Sequence, residues 1–183
     1  MDALLVFVPV LGGPLLHGPV LALDLFPSLK RPLDGGRTFR GRRIFGGNKT
    51  WRGAIFMTAG IVIAAALLSL WPAYWHALPG SIQDAGGGVF GLLLGLGTVL
   101  GELPNSFLKR RLDVAPGEQR RSAGGFALSV FDQGDFVLGV WVCLLPIWVM
   151  SVPEALLAFI VVAAVHMVIN LVGYRIGARS API

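Results

Sequence analysis

The chain has 183 residues, of which 55% are hydrophobic and 14% charged, and its mean hydropathy is +0.73. An ordinary soluble domain carries about 25% charged residues, so a soluble globule could not hide this much apolar surface, and a disordered chain would need the opposite composition. The single cysteine, Cys143, excludes an internal disulfide framework and a Cys-rich zinc site. What remains is an all-α integral membrane protein.

Five apolar segments, each near the roughly 20 residues a helical span needs, follow one another along the chain. The first covers residues 3–26 and is interrupted by Pro9, Pro14 and Pro19, which predicts a kinked or broken helix. Asp24 near its end needs a polar partner. The second segment covers 54–75, the third 87–108, the fourth 135–151 and the fifth 154–175. In the third, Gly87, Gly91 and Gly95 recur every four residues, as do Gly97 and Gly101. Such spacing lets helix backbones approach closely and places this helix in the middle of the bundle. Cys143, within the fourth segment, reads as a small packing residue.

The net charge is +5, and all 15 basic residues fall in three stretches: eight from Lys30 to Arg52, five from Lys109 to Arg121, and Arg175 with Arg179. With five spans, all three stretches share one side, and the opposite segments around 72–85 and 151–154 carry no Lys or Arg. The positive-inside rule therefore predicts two cytoplasmic loops, 28–53 and 109–134, with a cytoplasmic C-terminus. Trp71, Tyr74, Trp75 and Trp148 fall near the outer ends, where an aromatic belt belongs. The expected localisation is the inner (cytoplasmic) membrane, as one multi-pass domain over residues 1–183. The N-terminal segment has neither a basic n-region nor a cleavage site, so it does not read as a removable signal peptide.

Chemistry is expected where carboxylates stand among bases. Glu102, Ser106, Lys109 and Arg110 share one face of the third helix, and Asp132 and Asp135 share a face at the start of the fourth. Carboxylates are hard oxygen ligands suited to magnesium, and an ionisable group in a membrane helix is a functional candidate. The structural alternative is that Glu102 pairs with Lys109 or Arg110 while the aspartates begin a helix. In the first basic loop, glycines among the bases free backbone amides to hold phosphate; anionic lipid headgroups would be attracted equally. Asn48-Lys49-Thr50 is not a P-loop, because no Gly precedes Lys49 and no strand precedes the segment. Nucleic acid is an unsuitable partner for bases lying flat against a membrane. His17 and His76 are isolated and offer no ligand set, whereas His166 and Asn170, one turn apart, suit an interhelical hydrogen bond.

Four motifs then carry a resemblance: Asp34-Gly35-Gly36; Phe45-Gly46-Gly47-Asn48-Lys49-Thr50-Trp51-Arg52-Gly53; Ser106-Phe107-Leu108-Lys109-Arg110-Arg111; and Asp132-Gln133-Gly134-Asp135-Phe136. In this order, and with His166, Asn170, Tyr174 and Gly177 behind them, they resemble the motifs of the CDP-archaeol synthase family, which is related to phosphatidate cytidylyltransferases. The family's usual Asp is Glu102 here. The resemblance implies a membrane nucleotidyltransferase that transfers CMP from CTP to a lipid phosphate, giving a CDP-activated lipid and pyrophosphate. It implies Mg2+ on Glu102, Asp132 and Asp135, with K+ as an example of a second cation, and Lys109 as a further catalytic group. It also implies substrate binding by Asp34, Gly35, Gly36, Lys49, Thr50, Trp51, Arg52, Ser106, Arg110, Arg111 and Asn170.

Two other classes fit the composition. A CDP-alcohol phosphotransferase needs an Asp-Gly motif continuing to paired aspartates, and Asp34-Gly35 is not followed by it. A non-enzymatic lipid-binding scaffold or small transporter remains the alternative, but a transporter would carry polar residues along a path at mid-membrane depth. Here the charges gather at one interface.

Overall fold

The computed structural model describes residues 2–114, 132 and 134–175, apart from the side chains at 2, 169, 170, 172 and 173. Seven α-helices run through the described residues: α1 (Asp2–Leu5), α2 (Gly12–Ala22), α3 (Trp51–Leu68), α4 (Pro72–Trp75), α5 (Gly80–Arg111), α6 (Asp135–Leu144) and α7 (Val152–Arg175). Ala3–Ala22, α3 and α5 are long and apolar enough to cross a membrane. The apolar parts of α6 and α7, Asp135–Leu144 and Val152–Val168, are shorter. Leu15, Leu67, Val142 and Ile160 are exposed on the outside of the bundle, as a lipid-facing surface requires.

Breaks in the helices fall where backbone chemistry demands them. The first apolar segment is interrupted as its prolines predict, with Pro9 inside a 3-10 turn, Val8–Leu11, between α1 and α2. The second segment ends earlier than expected, at Leu68, and restarts at Pro72. Trp71, extended because a proline follows it, separates the two pieces. Within α5 the helix is kinked at Gly86 (φ 81°, ψ 154°), so the regular part begins at Gly87. It then continues through Pro104 to Arg111. α6 is only ten residues long, about 15 Å at 1.5 Å per residue, because Pro146 has no N–H to extend it.

α5 is the central helix, packed against α3 on one side and α6 on the other. Its glycines divide between those faces. A Cβ on Gly91 would stand 2.8 Å from the Val62 Cα, and one on Gly95 would stand 3.0 Å from the Thr58 Cα, both on α3. A Cβ on Gly97 would be 2.6 Å from the Val140 Cα, and one on Gly101 2.7 Å from the Phe136 Cα, both on α6. Gly139 of α6 meets Gly97 and Gly101 with no room for any side chain. The fully buried residues Ile61, Phe90, Leu94, Val137, Val140 and Leu144 fill the space around these contacts.

The first basic loop is a closed lobe. Its neck is zipped by Leu33 N to the Lys49 carbonyl (2.7 Å) and Trp51 N to the Arg31 carbonyl (3.0 Å). At its tip two short strands, β1 (Thr38–Phe39) and β2 (Arg42–Arg43), pair antiparallel. Arg40 and Gly41 both have positive φ (53° and 77°), the backbone a two-residue type I′ hairpin turn requires. This hairpin was not anticipated, since a two-residue strand leaves no periodic pattern.

Candidate active site

The charged residues converge where the C-terminal half of α5 meets the neck of the basic lobe and the start of α6. α3 runs antiparallel to α5, so the start of one lies beside the end of the other. Thr50 caps α3, its Oγ1 accepting from the Gly53 amide at 3.2 Å, an arrangement worth about 1 kcal/mol to helix stability. The cap holds Lys49 at the helix entrance, where its ammonium is ion-paired with Glu102 of α5. Glu102 thus takes its partner from the first loop rather than from Lys109 or Arg110 on its own helix.

One turn further on, Asn105 organises the two aspartates. Its Nδ2 donates to Asp132 Oδ1 and to Asp135 Oδ2, each at 2.8 Å. Lys109 adds an ion pair to Asp132 Oδ1 at 2.5 Å. Asp135, the first residue of α6, is 3% exposed, and Asn105 is 4% exposed. Glu102, Asp132 and Lys49 all lie within Coulombic reach of Asp135. Two carboxylates so close are tolerable only with cations and donors around them.

Would a magnesium ion fit? Among the described residues no group of three or more His, Cys, Asp or Glu side chains is gathered closely enough to hold a metal by itself. Asp132 and Asp135 come together through Asn105, while Glu102 is engaged with Lys49. Magnesium, however, is commonly held by one or two carboxylates with water and substrate phosphate completing its shell. The Oδ1 of Asn105 is buried with no hydrogen-bond partner among the described residues. It stands beside two acidic side chains, and an all-oxygen donor set of this kind suits a hard cation.

The remaining expected site residues are distributed unevenly. Asp34 is buried inside the basic lobe, accepting from the amides of Gly36 (2.9 Å), Phe45 (3.1 Å) and Gly46 (3.2 Å) and from Arg43 Nη2 (2.5 Å). Burial opposes its ionisation, but these bonds to the charged form outweigh that and hold the carboxyl well below the usual carboxylate range. Gly35 and Gly36 supply the positive-φ turn that brings their backbone round it. Arg52 is buried and donates to Asp24 Oδ1 (2.8 Å) and the Leu25 carbonyl (2.9 Å). This supplies the partner Asp24 needs, with Lys30 as a second. Trp51 is half exposed at the start of α3.

Ser106 is buried on α5. Arg110 donates to the Val114 carbonyl at the end of its own helix. Arg111 locks the lobe onto α5, donating to the carbonyls of Phe39, Arg42 and Arg43 and stacking over the rings of Phe39 and Phe107. Asn170 is on α7, but its side chain lies outside the described residues, as do Gln133 and the segment 115–131.

Asn105 is the candidate site residue that sequence reasoning passed over. It sits between Glu102 and Lys109, but nothing in its spacing reveals that Asp132 and Asp135, 27 and 30 residues on, converge on it.

The family described as CarS-like, CDP-archaeol synthase, matches residues 25–183, which contain Lys49, Glu102, Asn105, Lys109, Asp132 and Asp135. The chain belongs to the CDP-archaeol synthase family. Within that family, the CDP-archaeol synthase of Halobacterium salinarum is 36% identical over 159 residues, covering 83% of each chain. That of Methanoculleus marisnigri is 36% identical over 160 residues, 82% of this chain and 89% of the relative. That of Pyrococcus furiosus is 32% identical over 153 residues, 82% of this chain and 83% of the relative. A solved structure of an intramembrane enzyme for archaeal membrane lipid biosynthesis shares the fold, with a TM-score of 0.66 over 92% of each chain at 24% identity. As a member of the CDP-archaeol synthase family the chain is a membrane-embedded, CTP-dependent lipid cytidylyltransferase. The scaffold and transporter alternatives are set aside on that ground.

Proposed function

We propose that this enzyme transfers CMP from CTP to a lipid phosphate of the archaeol type at the cytoplasmic face of a membrane it crosses five times. A phosphate oxygen of the lipid attacks the α-phosphorus of CTP. One new P–O bond forms, the bond from the α-phosphorus to the bridging oxygen breaks, and pyrophosphate leaves with that oxygen. The products are a CDP-activated lipid and pyrophosphate, and no protein nucleophile or redox partner is needed.

The observation that carries this reading is Asn105 holding Asp132 and Asp135 together beside Lys109 and the Lys49–Glu102 pair. Two polyanionic substrates repel each other, and bringing them in line is largely a matter of positioning and charge neutralisation. Asp132, Asp135 and the Asn105 carbonyl oxygen would hold Mg2+, which supplies neutralisation of triphosphate charge and of the charge building on the leaving group. Lys49 and Lys109 bring cationic donors to the same place, each kept in position by a carboxylate until phosphate oxygens compete for it. Asn105 keeps the aspartates at a fixed separation. Asp34 and Arg111 act at one remove: the first shapes the basic lobe and the second fastens it to α5. Arg52 braces the neck of the lobe against Asp24.

The testing experiment is pyrophosphate release by purified protein with each nucleoside triphosphate against a panel of lipid phosphates. Release is expected with CTP and Mg2+ and a glycerol-based lipid phosphate. No release with CTP and any lipid phosphate would reject the reading.

A further inference from the structure

Between α2, α3 and α5 lies a cavity of about 250 Å³. At the level of the basic lobe it is lined by Lys49, Thr50 and Glu102, and deeper in the bundle by Met57 and Thr98. Met57 is six residues beyond the start of α3, so the cavity extends about 9 Å into the helix packing. His17 of α2 faces into it opposite the first turn of α3, its Nε2 3.8 Å from where a Cβ on Gly53 would stand.

The polar groups of this cavity are mostly committed. The Thr98 hydroxyl donates to the Leu94 carbonyl of its own helix (2.9 Å), Thr50 caps α3, and Lys49 is held by Glu102. The His17 imidazole has no hydrogen-bond partner among the described residues, and its charged neighbour Arg52 is occupied by Asp24 and the Leu25 carbonyl. An imidazole in an otherwise apolar, membrane-spanning segment is costly and by default functional.

We propose that this cavity receives the phosphate headgroup of the lipid substrate and that His17 hydrogen-bonds that headgroup. The inference rests on the cytidylyltransferase reading and adds which side of α5 each substrate occupies. Volume favours the lipid. Pockets for drug-sized ligands run roughly 300–1,000 Å³, and this open pocket of about 250 Å³ surrounds a phosphate with its first glycerol atoms more completely than it could a whole nucleoside triphosphate. The walls favour it too. Leu33, Ala54, Met57, Val99 and Leu103 make up much of the lining, with His17, Asn48, Lys49 and Thr50 as its donors, so most of a triphosphate's oxygens would lose water without gaining a donor there. A lipid phosphate brings charge at one end and apolar chain at the other, matching Lys49 and His17 against those walls. The location also lets the two substrates meet. Glu102 lines the cavity and stands one helix turn before Asn105, which holds Asp132 and Asp135, so a headgroup here is within about a turn of the carboxylate cluster.

The test measures KM for CTP and for lipid phosphate separately, with Mg2+ and a dialkyl or a diacyl glycerol phosphate as substrate. His17→Ala is expected to raise the lipid KM at least about tenfold and to leave the CTP KM within about twofold. His17→Gln, which restores an N–H, should recover part of the loss. Ala54→Leu, which adds side-chain volume to the cavity wall and keeps His17, should raise the lipid KM as well. An unchanged lipid KM in both His17→Ala and Ala54→Leu would overturn the proposal. So would a raised CTP KM with the lipid KM unchanged, since the cavity would then serve the nucleotide. Absence of turnover in the unsubstituted protein would instead count against the cytidylyltransferase reading. In that case binding of the same two glycerol phosphates, read by native mass spectrometry without CTP, decides the cavity: weaker binding to His17→Ala supports it and equal binding refutes it.

Discussion

Lys49, the last residue before the cap of α3, is ion-paired with Glu102, 53 positions later on the central helix. The pair joins the basic lobe to α5 at the level of the carboxylate cluster, and both residues line the adjoining cavity. The length of the Glu102 side chain can be tested against its charge. Glu102→Asp is expected to keep kcat/KM within about tenfold, while Glu102→Gln loses more. Groups in one ion pair are energetically coupled, commonly by about 0.5–3 kcal/mol. A double-mutant cycle with Lys49→Ala and Glu102→Ala on kcat/KM should therefore be non-additive, and simple additivity would remove the pair from the catalytic assembly.

Asp132→Asn and Asp135→Asn keep side-chain size but remove the charge that would hold a cation. Loss of a metal clamp costs several kcal/mol in the barrier, which is orders of magnitude in turnover. Both variants should fall at least about 100-fold in kcat and need more Mg2+ for half-maximal rate. EDTA should abolish activity in the unsubstituted enzyme. Asp113→Asn is the control: Asp113 pairs with Arg42 at 2.6 Å on an exposed surface, and exposed pairs contribute little. Its turnover should stay within a few-fold of normal.

Asp34 gives the basic lobe a defined pH dependence. Its carboxyl titrates well below its ordinary range in the folded lobe, so its contribution to stability is present above the unfolded pKa of about 3.9 and is lost as pH falls towards the folded value. Hydrogen-exchange protection of the Gly36, Phe45 and Gly46 amides should therefore hold from neutral pH down to about pH 4 and decline below it. Asp34→Asn should lower that protection already at pH 7, because the Arg43 partner is left without its carboxylate. Equal protection in this variant at pH 7 would show that the lobe is held by its neck alone.

Gly139 has no room for a side chain between α6 and the Gly97 and Gly101 positions of α5. Gly139→Leu should force the helices apart, moving Asp135 away from Asn105. The expected result is a loss of several kcal/mol in stability, with activity falling faster than the melting temperature alone accounts for. Gly88, on the same central helix, has nothing within 4 Å of its Cβ position. There Gly88→Ala should be neutral or stabilise by up to about 1 kcal/mol.

Orientation is tested by cysteine labelling in a Cys143→Ser background. Thr38→Cys, in β1 of the basic lobe, should be reached only from the cytoplasmic side, and Pro79→Cys, before α5, only from the opposite side. Labelling of Thr38→Cys from outside alone would reverse the proposed orientation and deny the site direct access to cytosolic CTP.

The parts of this protein that the linear sequence determined are those governed by local chemistry. Apolar runs of sufficient length must be helical in lipid, since no water is there to satisfy the backbone. Pro9, one of the three prolines that predict a break in the first segment, falls where that segment is interrupted; the break before Pro72 and the kink at Gly86 follow equally local chemistry but were not anticipated. The glycine spacing of the third segment was also sufficient to place it centrally. Which glycines face which neighbour was not legible, because Gly91 and Gly97 meet different helices whose positions depend on the whole packing. The same limit governs the site. Glu102, Asp132 and Asp135 stand out as carboxylates near bases, but their partners come from 23 to 53 residues away. Arg52 and Arg111 look like phosphate-binding bases in the sequence, and the fold turns one to Asp24 and the other to the lobe's carbonyls. His17, isolated in sequence, acquires meaning only when α2 lies antiparallel to α3 and brings it beside Lys49. Charge and hydropathy are properties of a residue, whereas the partner of a buried charge is a property of the space around it, and only the tertiary structure supplies that space.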